Sequence, residues 1–485
     1  MKAKLNFPFI FRSLGIVLVI EAAFMLFSVA LSFYYHEQHE YQIFIAFLIT
    51  AFTGIFLILF NKPPKNQFYR QKESFLLVTL SWITISVFGT LPYILTGEIS
   101  SFTDALFESV SGFTTTGSSI MTDIEAHSHG ILFWRSTTHW IGGMGIIVLF
   151  IAIFPRFKHS RIYLFNAEAS VVVEEKTFPS FFSIARRLWL IYIFLTFAET
   201  VLLKLEGMTW FDSICHSFAT IATGGFSTKN ASLAAFSPII QYTVAIFMVL
   251  SATNFNIYLL VLKKQFKKII KNDEFKFYYS IIFSLILIAT ITLYFKQHYT
   301  LEHAFRSAFF NISSLLTATG FATEDYLHWH TVALFMIYFA MIIGASSGST
   351  GGGVKVIRYV IFFRKIKATI KEILHQNIIS VVKYNGQRVE DATVQRVLVF
   401  IILYFFIVLM GTLLITITGV DVYTALGSAL TAMGGMGPGF GLTGPVGNFS
   451  MLPIFAKYVL VALMLLGRLE IFTILVLFSR DYWQD

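Results

Sequence analysis

Long apolar stretches alternate with short polar ones along the whole chain, regularly enough to predict its elements. Apolar runs over roughly 7–35 and 41–60 are long enough to cross a bilayer as helices, and the KPPK turn at Lys62 to Lys65 closes them. One pattern then occurs four times, an apolar span, a short helical segment ending in a Thr/Gly-rich turn, and a second apolar span. The first unit runs 74–96, 102–117 and 131–154, and the second 182–205, 210–225 and 238–262. The third runs 276–296, 304–320 and 331 to about 362, and the fourth 394–418, 423–437 and 453–479. The middle segments are too short to cross, so each reads as a re-entrant helix between two spans. Ten spans result, with both chain ends on one side.

The turns are TTTG (Thr114 to Gly117), ATGG (Ala222 to Gly225), TATG (Thr317 to Gly320) and GGMG (Gly434 to Gly437). Twelve residues before each last glycine stand Ala105, Ser213, Ala308 and Ala425, so the units align without a gap. A helix that dips into a membrane and ends in irregular backbone leaves carbonyls unpaired, which is tolerable where they line water or hold ions. The predicted fold class is therefore an all-α polytopic membrane protein. It has four tandem span–pore-helix–filter–span units in a pseudo-fourfold arrangement, plus two N-terminal helices. The boundaries are 1–61 for the extra helices, 74–154, 182–262, 276–362 and 394–479 for the pore units, and 363–393 for a cytoplasmic linker.

Composition agrees with the pattern: 56% of the 485 residues are hydrophobic and 13% charged, far from the usage of soluble domains. The stretch from about Phe7 to Phe33 is too long for a signal peptide and lacks a small-residue cleavage site, so it reads as a retained first helix. The single cysteine, Cys215, rules out an internal disulfide and a thiolate metal cluster. The net charge of +9 is explained by topology, without nucleic acid. Of the 36 Lys and Arg, 29 lie in 1–12, 61–73, 155–187, 263–276, 354–396 and the C-terminal tail. These segments alternate with ones carrying Glu37, Glu98, Asp123 and Glu324. The positive-inside rule makes the basic set and both termini cytoplasmic. Lys263, Lys264, Lys267 and Lys268 form a basic face toward anionic lipid or a partner.

A dehydrated cation needs oxygen ligands without a full counter-charge, which a ring of backbone carbonyls supplies. The expected ligands are the carbonyls of Thr115 and Thr116, Thr223 and Gly224, Ala318 and Thr319, and Gly435 and Met436. Gly117, Gly225, Gly320 and Gly437 are expected to supply the turns, where positive φ and close approach call for glycine. Ser101, Thr209 and Asp421 stand where they can cap the re-entrant helices, whose C-terminal ends then favour a cation. Within the third unit, Gly344 to Gly353 interrupts an apolar stretch with Gly344, Ser346, Ser347, Gly348, Ser349, Thr350, Gly351, Gly352 and Gly353. That segment reads as an unwound loop below the filter that acts as a gate. The alternative is a loop at a cytoplasmic helix end, since Lys355 and Arg358 follow. Arg468, inside the last span, needs a partner at that depth, and free carbonyls of the glycine-rich loop suit it better than Glu470.

Rival motifs are weak. Gly348 to Gly353 with Val354 and Lys355 approximates a phosphate loop, but no strand precedes it and the Gly-Lys pair is interrupted. His127, His129, His328 and His330 lie in external loops without a ligand pattern, and no catalytic grouping is evident.

Taken together, the four turns, TGGFST (Thr223 to Thr228), TATGF (Thr317 to Phe321), GMGPG (Gly435 to Gly439), GSTGGGVKVIR (Gly348 to Arg358) and GRLEIFT (Gly467 to Thr473) resemble the TrkH/TrkG branch of bacterial potassium uptake proteins, relatives of the KtrB type. The resemblance spans essentially the whole chain. It implies a potassium-translocating subunit of the bacterial inner membrane, a homodimer served by a cytosolic TrkA-like nucleotide-binding subunit. K+ is then the cargo, and the chain itself carries no organic cofactor. It also implies that Arg468 lies beside the gate. Gly434 and Gly435 depart from the Asn that relatives often carry, leaving the fourth turn's geometry open. A sodium- or proton-coupled potassium symporter is the alternative mechanism. Inverted repeats would favour it, whereas these repeats read as parallel.

Overall fold

The computed structural model describes residues 5–62, 71–145, 181–375 and 380–484. Among them the secondary structure is helical apart from one small antiparallel hairpin, Lys383–Tyr384 against Gln387–Arg388. Most of the KPPK turn, the first unit's second span beyond residue 145 and the basic stretch to residue 180 lie outside the described residues.

Helices α1 (Phe7–Tyr34) and α2 (Glu40–Phe60) pack as a pair. The Asn6 side chain accepts from Phe9 N at 3.1 Å to cap α1. The pair touches backbone to backbone at Gly15 and Gly54, where a Cβ on either would come within 2.6–2.8 Å of the other's carbonyl oxygen. Small residues permit this approach where no water drives helices together.

The first described unit comprises α3 (Gln71–Phe88), α4 (Leu91–Thr96), α5 (Phe102–Phe113) and α6 (His129–Gly143). Next come α7 (Phe181–Leu205), α8 (Trp210–Ile221), α9 (Pro238–Ser251) and α10 (Phe255–Leu262), then the short α11 (Phe266–Lys271). Beyond it lie α12 (Asp273–Lys296), α13 (Leu301–Leu316), α14 (Thr331–Ile343) and α15 (Val356–Leu374). The last are α16 (Asp391–Thr416), α17 (Val422–Gly434), α18 (Ile454–Arg468), α19 (Ile471–Phe478) and α20 (Arg480–Trp483).

Among the described residues, six helical stretches are long and apolar enough to cross a membrane, and counting two sharply bent pairs as spans makes eight. Two spans expected to be continuous are broken. The 238–262 span bends by 92° between α9 and α10, and the 453–479 span by 111° between α18 and α19. At the first break the Asn254 side chain accepts from Asn256 N at 3.0 Å, and the carbonyl of Ala252 accepts from Ser346 N at 3.1 Å. Helix bonds lost there are thus replaced from outside the helix. At the second, Glu470 takes a φ of +60°, a left-handed conformation that no α-helix continues through.

Helices α5, α8, α13 and α17 are rich in hydroxyls yet buried. Their side chains donate to carbonyls inside the fold: Ser213 to Thr209, Ser217 to Ser213 and Ser428 to Thr424, each at 2.7 Å, and Ser109 to Ser86 at 2.7 Å. Hydroxyls bonded in this way lower the cost of burying polar helices, although Ser111, Ser313 and Thr431 on the same helices keep buried hydroxyls without a protein partner among the described residues.

Candidate ion path

Each of the four short helices starts at a capping side chain. Ser101 Oγ accepts from Asp104 N at 3.4 Å, Thr209 Oγ1 from Asp212 N at 3.0 Å, and Asp421 Oδ1 from Thr424 N at 2.9 Å. The third helix begins at 301, earlier than expected, with Thr300 Oγ1 accepting from His303 N at 3.3 Å. The positive ends of these helices are thus capped at one side, and their negative ends converge on the turns.

All four helices stop in the same way. Two positions before the terminal glycine the backbone turns left-handed, with φ of +57° at Thr115, +54° at Thr223, +60° at Ala318 and +66° at Gly435. One position later an amide N–H reaches back five residues: Thr116 to Ser111, Gly224 to Ala219, Thr319 to Ser314 and Met436 to Thr431, at 2.8–3.1 Å. This is the Schellman ending, which consumes the last helical carbonyls and reverses the chain. The terminal glycines are left-handed again, at +79°, +79°, +90° and +82°. The fourth turn therefore has the backbone of the other three. Glycine enters the left-handed region without strain, so Gly435 gives the fourth turn the geometry that the sequence had left open. Thr115 and Thr223 hold this conformation despite β-branching, a strain of about 1–3 kcal/mol each that the surrounding bonds must offset.

The turns meet edge to edge. A Cβ on Gly117 would overlap the carbonyl oxygen of Gly224, one on Gly225 that of Thr319, and one on Gly320 that of Met436. On Gly437 it would lie 3.3 Å from the carbonyl oxygen of Thr116. Each terminal glycine thus faces the carbonyl of the residue before the next terminal glycine, and the fourth contact returns to the first turn. Ser118 Oγ also donates to Gly437 O at 2.8 Å across that last seam.

The glycine-rich segment lies between α14 and α15, against the inner ends of the same helices. A Cβ on Gly351 would be 2.5 Å from Thr317 O, and one on Gly352 would overlap Gly434 O. Thr350 Oγ1 donates to Ile221 O at 3.0 Å and to Ser251 O at 3.2 Å. Ser346 binds the α9–α10 break, and Gly348 O accepts from Phe255 N at 3.0 Å. Ser349 Oγ donates to Ser346 O at 2.6 Å. Gly344, Gly348 and Gly353 have φ of +77°, +63° and +81°. The segment is packed beneath the turns and is not a free loop at a helix end. Arg468 Nη1 donates to Thr350 O at 3.1 Å, and its other terminal nitrogen donates to the carbonyls of Gly142 and Gly143. One guanidinium therefore bridges the loop and the end of α6.

Further residues contribute contacts that the sequence does not assign to them. Glu274, buried at the start of α12, accepts from Ser347 N at 2.6 Å and Ser347 Oγ at 2.9 Å, and from Asn254 Nδ2 at 3.3 Å. The expected span began at 276 and so excluded it, although an acid heading an apolar run was the available signal. Lys355 is 7% exposed and donates to Gly351 O, and Arg358 is 5% exposed and pairs with Glu470. Neither is a solvated cytoplasmic cation, which removes the ground for reading the loop as a helix end. Of the histidines expected in external loops, His127 pairs with Glu98 at 2.9 Å and His129 with Glu37 at 3.2 Å.

Helices long and apolar enough to cross a membrane, with four glycine turns packed against one another's carbonyls, point to the class of membrane transport proteins. The chain belongs to the TrkH family of cation transport proteins, whose family model matches residues 39–485. It is 34% identical to the Trk system potassium uptake protein TrkH of Escherichia coli strain K12, over 99% of this chain and 100% of that one. It is 31% identical to TrkG of the same organism, over 97% of each. The crystal structure of the potassium transporter TrkH from Vibrio parahaemolyticus superposes with a TM-score of 0.89 at 32% identity, covering 99% of this chain and 100% of that one. These relatives are potassium transporters and not enzymes.

Proposed function

We propose that this chain takes up potassium through a filter made where its four turns meet, four tandem units standing in pseudo-fourfold fashion around one path. The observation that carries this reading is the closed series of contacts from Gly117 to Gly224, Gly225 to Thr319, Gly320 to Met436 and Gly437 to Thr116. The ligands are the carbonyls of Thr115, Thr116, Thr223, Gly224, Ala318, Thr319, Gly435 and Met436, with K+ as cargo. Backbone dipoles replace hydration without trapping the ion, and the four helix C-termini add favourable potential for a cation.

Gly344 to Gly353 is the gate in this reading. It lies across the inner ends of the helices that carry the second, third and fourth turns, and Arg468 and Glu274 hold it from two sides. Uptake then requires the loop to withdraw, and a cytosolic regulatory subunit of the Trk system supplies the bias. The chain acts in the cytoplasmic membrane as a homodimer, with both termini inside.

Flux into liposomes tests the reading. With potassium, rubidium and sodium offered separately, and with or without a sodium or proton gradient, the filter account predicts potassium and rubidium flux that needs neither gradient. Uptake that occurs only with an imposed sodium or proton gradient would contradict it in favour of a coupled symporter.

A further inference from the structure

Nine positions before Gly117, Gly225, Gly320 and Gly437 stand Glu108, His216, Asn311 and Ser428. All four are fully buried. In the first three units this side chain reaches forward to the strand leaving its own turn, two or three positions past the glycine. Glu108 accepts from Ser119 Oγ and Ile120 N, each at 2.9 Å. His216 Nε2 is 2.9 Å from Ser227 Oγ. Asn311 Nδ2 donates to Thr323 Oγ1 at 3.0 Å, and Thr323 N donates back to Asn311 Oδ1 at 3.4 Å. In the fourth unit Ser428 Oγ is 2.9 Å from Thr443 Oγ1, farther along the chain.

The same job is thus done by a carboxylate, an imidazole, an amide and a hydroxyl. Shared placement with different chemistry points to position, not charge, as the common requirement. One of these struts extends to its neighbour. Arg135 on α6 donates from Nε to Glu108 Oε1 at 2.6 Å and from Nη1 to Ser227 O at 2.9 Å, so it bonds the struts of the first and second turns at once. Its guanidinium carbon lies 3.5 Å from the ring centroid of Phe226, whose other stacking partner is His139 at 3.9 Å. Phe226 directly follows Gly225, so its clamp bears on the second turn.

We propose that Glu108, His216 and Asn311 are positioning residues that set the width of the ion path, and that Arg135 locks the first two turns at one spacing. This rests on the filter reading above. A carbonyl ring discriminates ions only while its oxygens keep their separation, and the left-handed Thr115 and Thr223 need outside bonds to stay in place. The struts supply those bonds from rigid helices, as support around a binding site must.

The test compares selectivity with the amount of membrane-inserted protein. Ser227→Ala and Thr323→Val each remove one strut bond with little change of volume, and Glu108→Gln with Arg135→Gln removes the ion pair while leaving no lone buried charge. Gly117→Ser serves as the reference for the filter itself. Potassium-over-sodium discrimination in liposome flux is expected to fall about fivefold in the single strut variants, the factor carried by one net hydrogen bond, with insertion near wild type. Reduced insertion with an unchanged discrimination ratio would overturn the proposal by giving the struts a purely structural role. If Gly117→Ser alters discrimination and all strut variants keep the wild-type ratio, the struts are refuted while the filter stands. If Gly117→Ser also leaves the ratio unchanged, the filter reading itself is overturned.

Discussion

Arg468 Nη1 donates to the carbonyl oxygen of Thr350 at 3.1 Å, joining the end of the last unit's broken helix to the middle of the glycine-rich loop. The same guanidinium binds Gly142 O and Gly143 O at the end of α6, so it fixes the loop to the first unit as well. A charge inside a membrane span is costly unless bonded, and here carbonyls of the loop and of the end of α6 bond it. If the loop closes the path, this contact belongs to the closed state. Arg468→Ala is therefore expected to raise potassium flux per inserted protein about tenfold in the absence of any cytosolic partner, the shift from one charge-assisted bond of about 1.5 kcal/mol. Deleting Ser347 to Gly351 should raise it further, because the obstruction itself goes.

Glu274 provides an independent hold. It accepts from both the amide and the hydroxyl of Ser347, and a glutamine there offers only one accepting oxygen. Glu274→Gln should increase partner-free rubidium flux several-fold, and Ser347→Ala should do so more weakly. Unchanged flux in both, at normal insertion, would show that the front of the loop does not restrain it.

Gly435 tests the shared backbone of the turns. With φ at +66° and the nearest atom to an added Cβ at 4.0 Å, conformation is the constraint there and space is not. Gly435→Asn should retain uptake and discrimination, because Asn enters the left-handed region readily. Gly435→Val should lose both, since a β-branched side chain is strongly disfavoured there. Equal behaviour of the two variants in a rubidium uptake assay would refute this.

Sidedness follows from the charge distribution. With Cys215 replaced, a cysteine at position 267 should react with an impermeant thiol reagent only after the membrane is opened, whereas one at 123 should react from outside. Lys267 lies in the basic α11, and Asp123 in the segment between α5 and α6, where it accepts from Asn230 Nδ2 at 2.8 Å. Reversed labelling would invert the topology.

Much of this architecture could be read from the chain because its pattern is periodic. The helix caps at Ser101, Thr209 and Asp421 and the glycines at 117, 225, 320 and 437 are local features, and local features recur visibly. The breaks after α9 and α18 were not legible. They depend on bonds from distant segments, such as Ser346 N to Ala252 O, that no local pattern encodes. Lys355 kept the helix-end alternative open for the same reason: a lysine after an apolar run resembles a helix end at the membrane surface, and its bond to Gly351 O exists only in the folded loop. The struts escaped notice because Glu108, His216, Asn311 and Ser428 share a position and no chemistry.

The central claim is that the four terminal glycines hold the carbonyls of one filter, and substituting each glycine by serine tests it most directly. At Gly117, Gly225 and Gly320 an added Cβ would strike a neighbouring carbonyl oxygen or carbon at overlap distance, whereas at Gly437 it would stand 3.3 Å away. Potassium-over-sodium discrimination, measured by liposome flux on equal amounts of inserted protein, should fall sharply for Gly117→Ser, Gly225→Ser and Gly320→Ser and least for Gly437→Ser. Wild-type discrimination in all four variants would contradict the account.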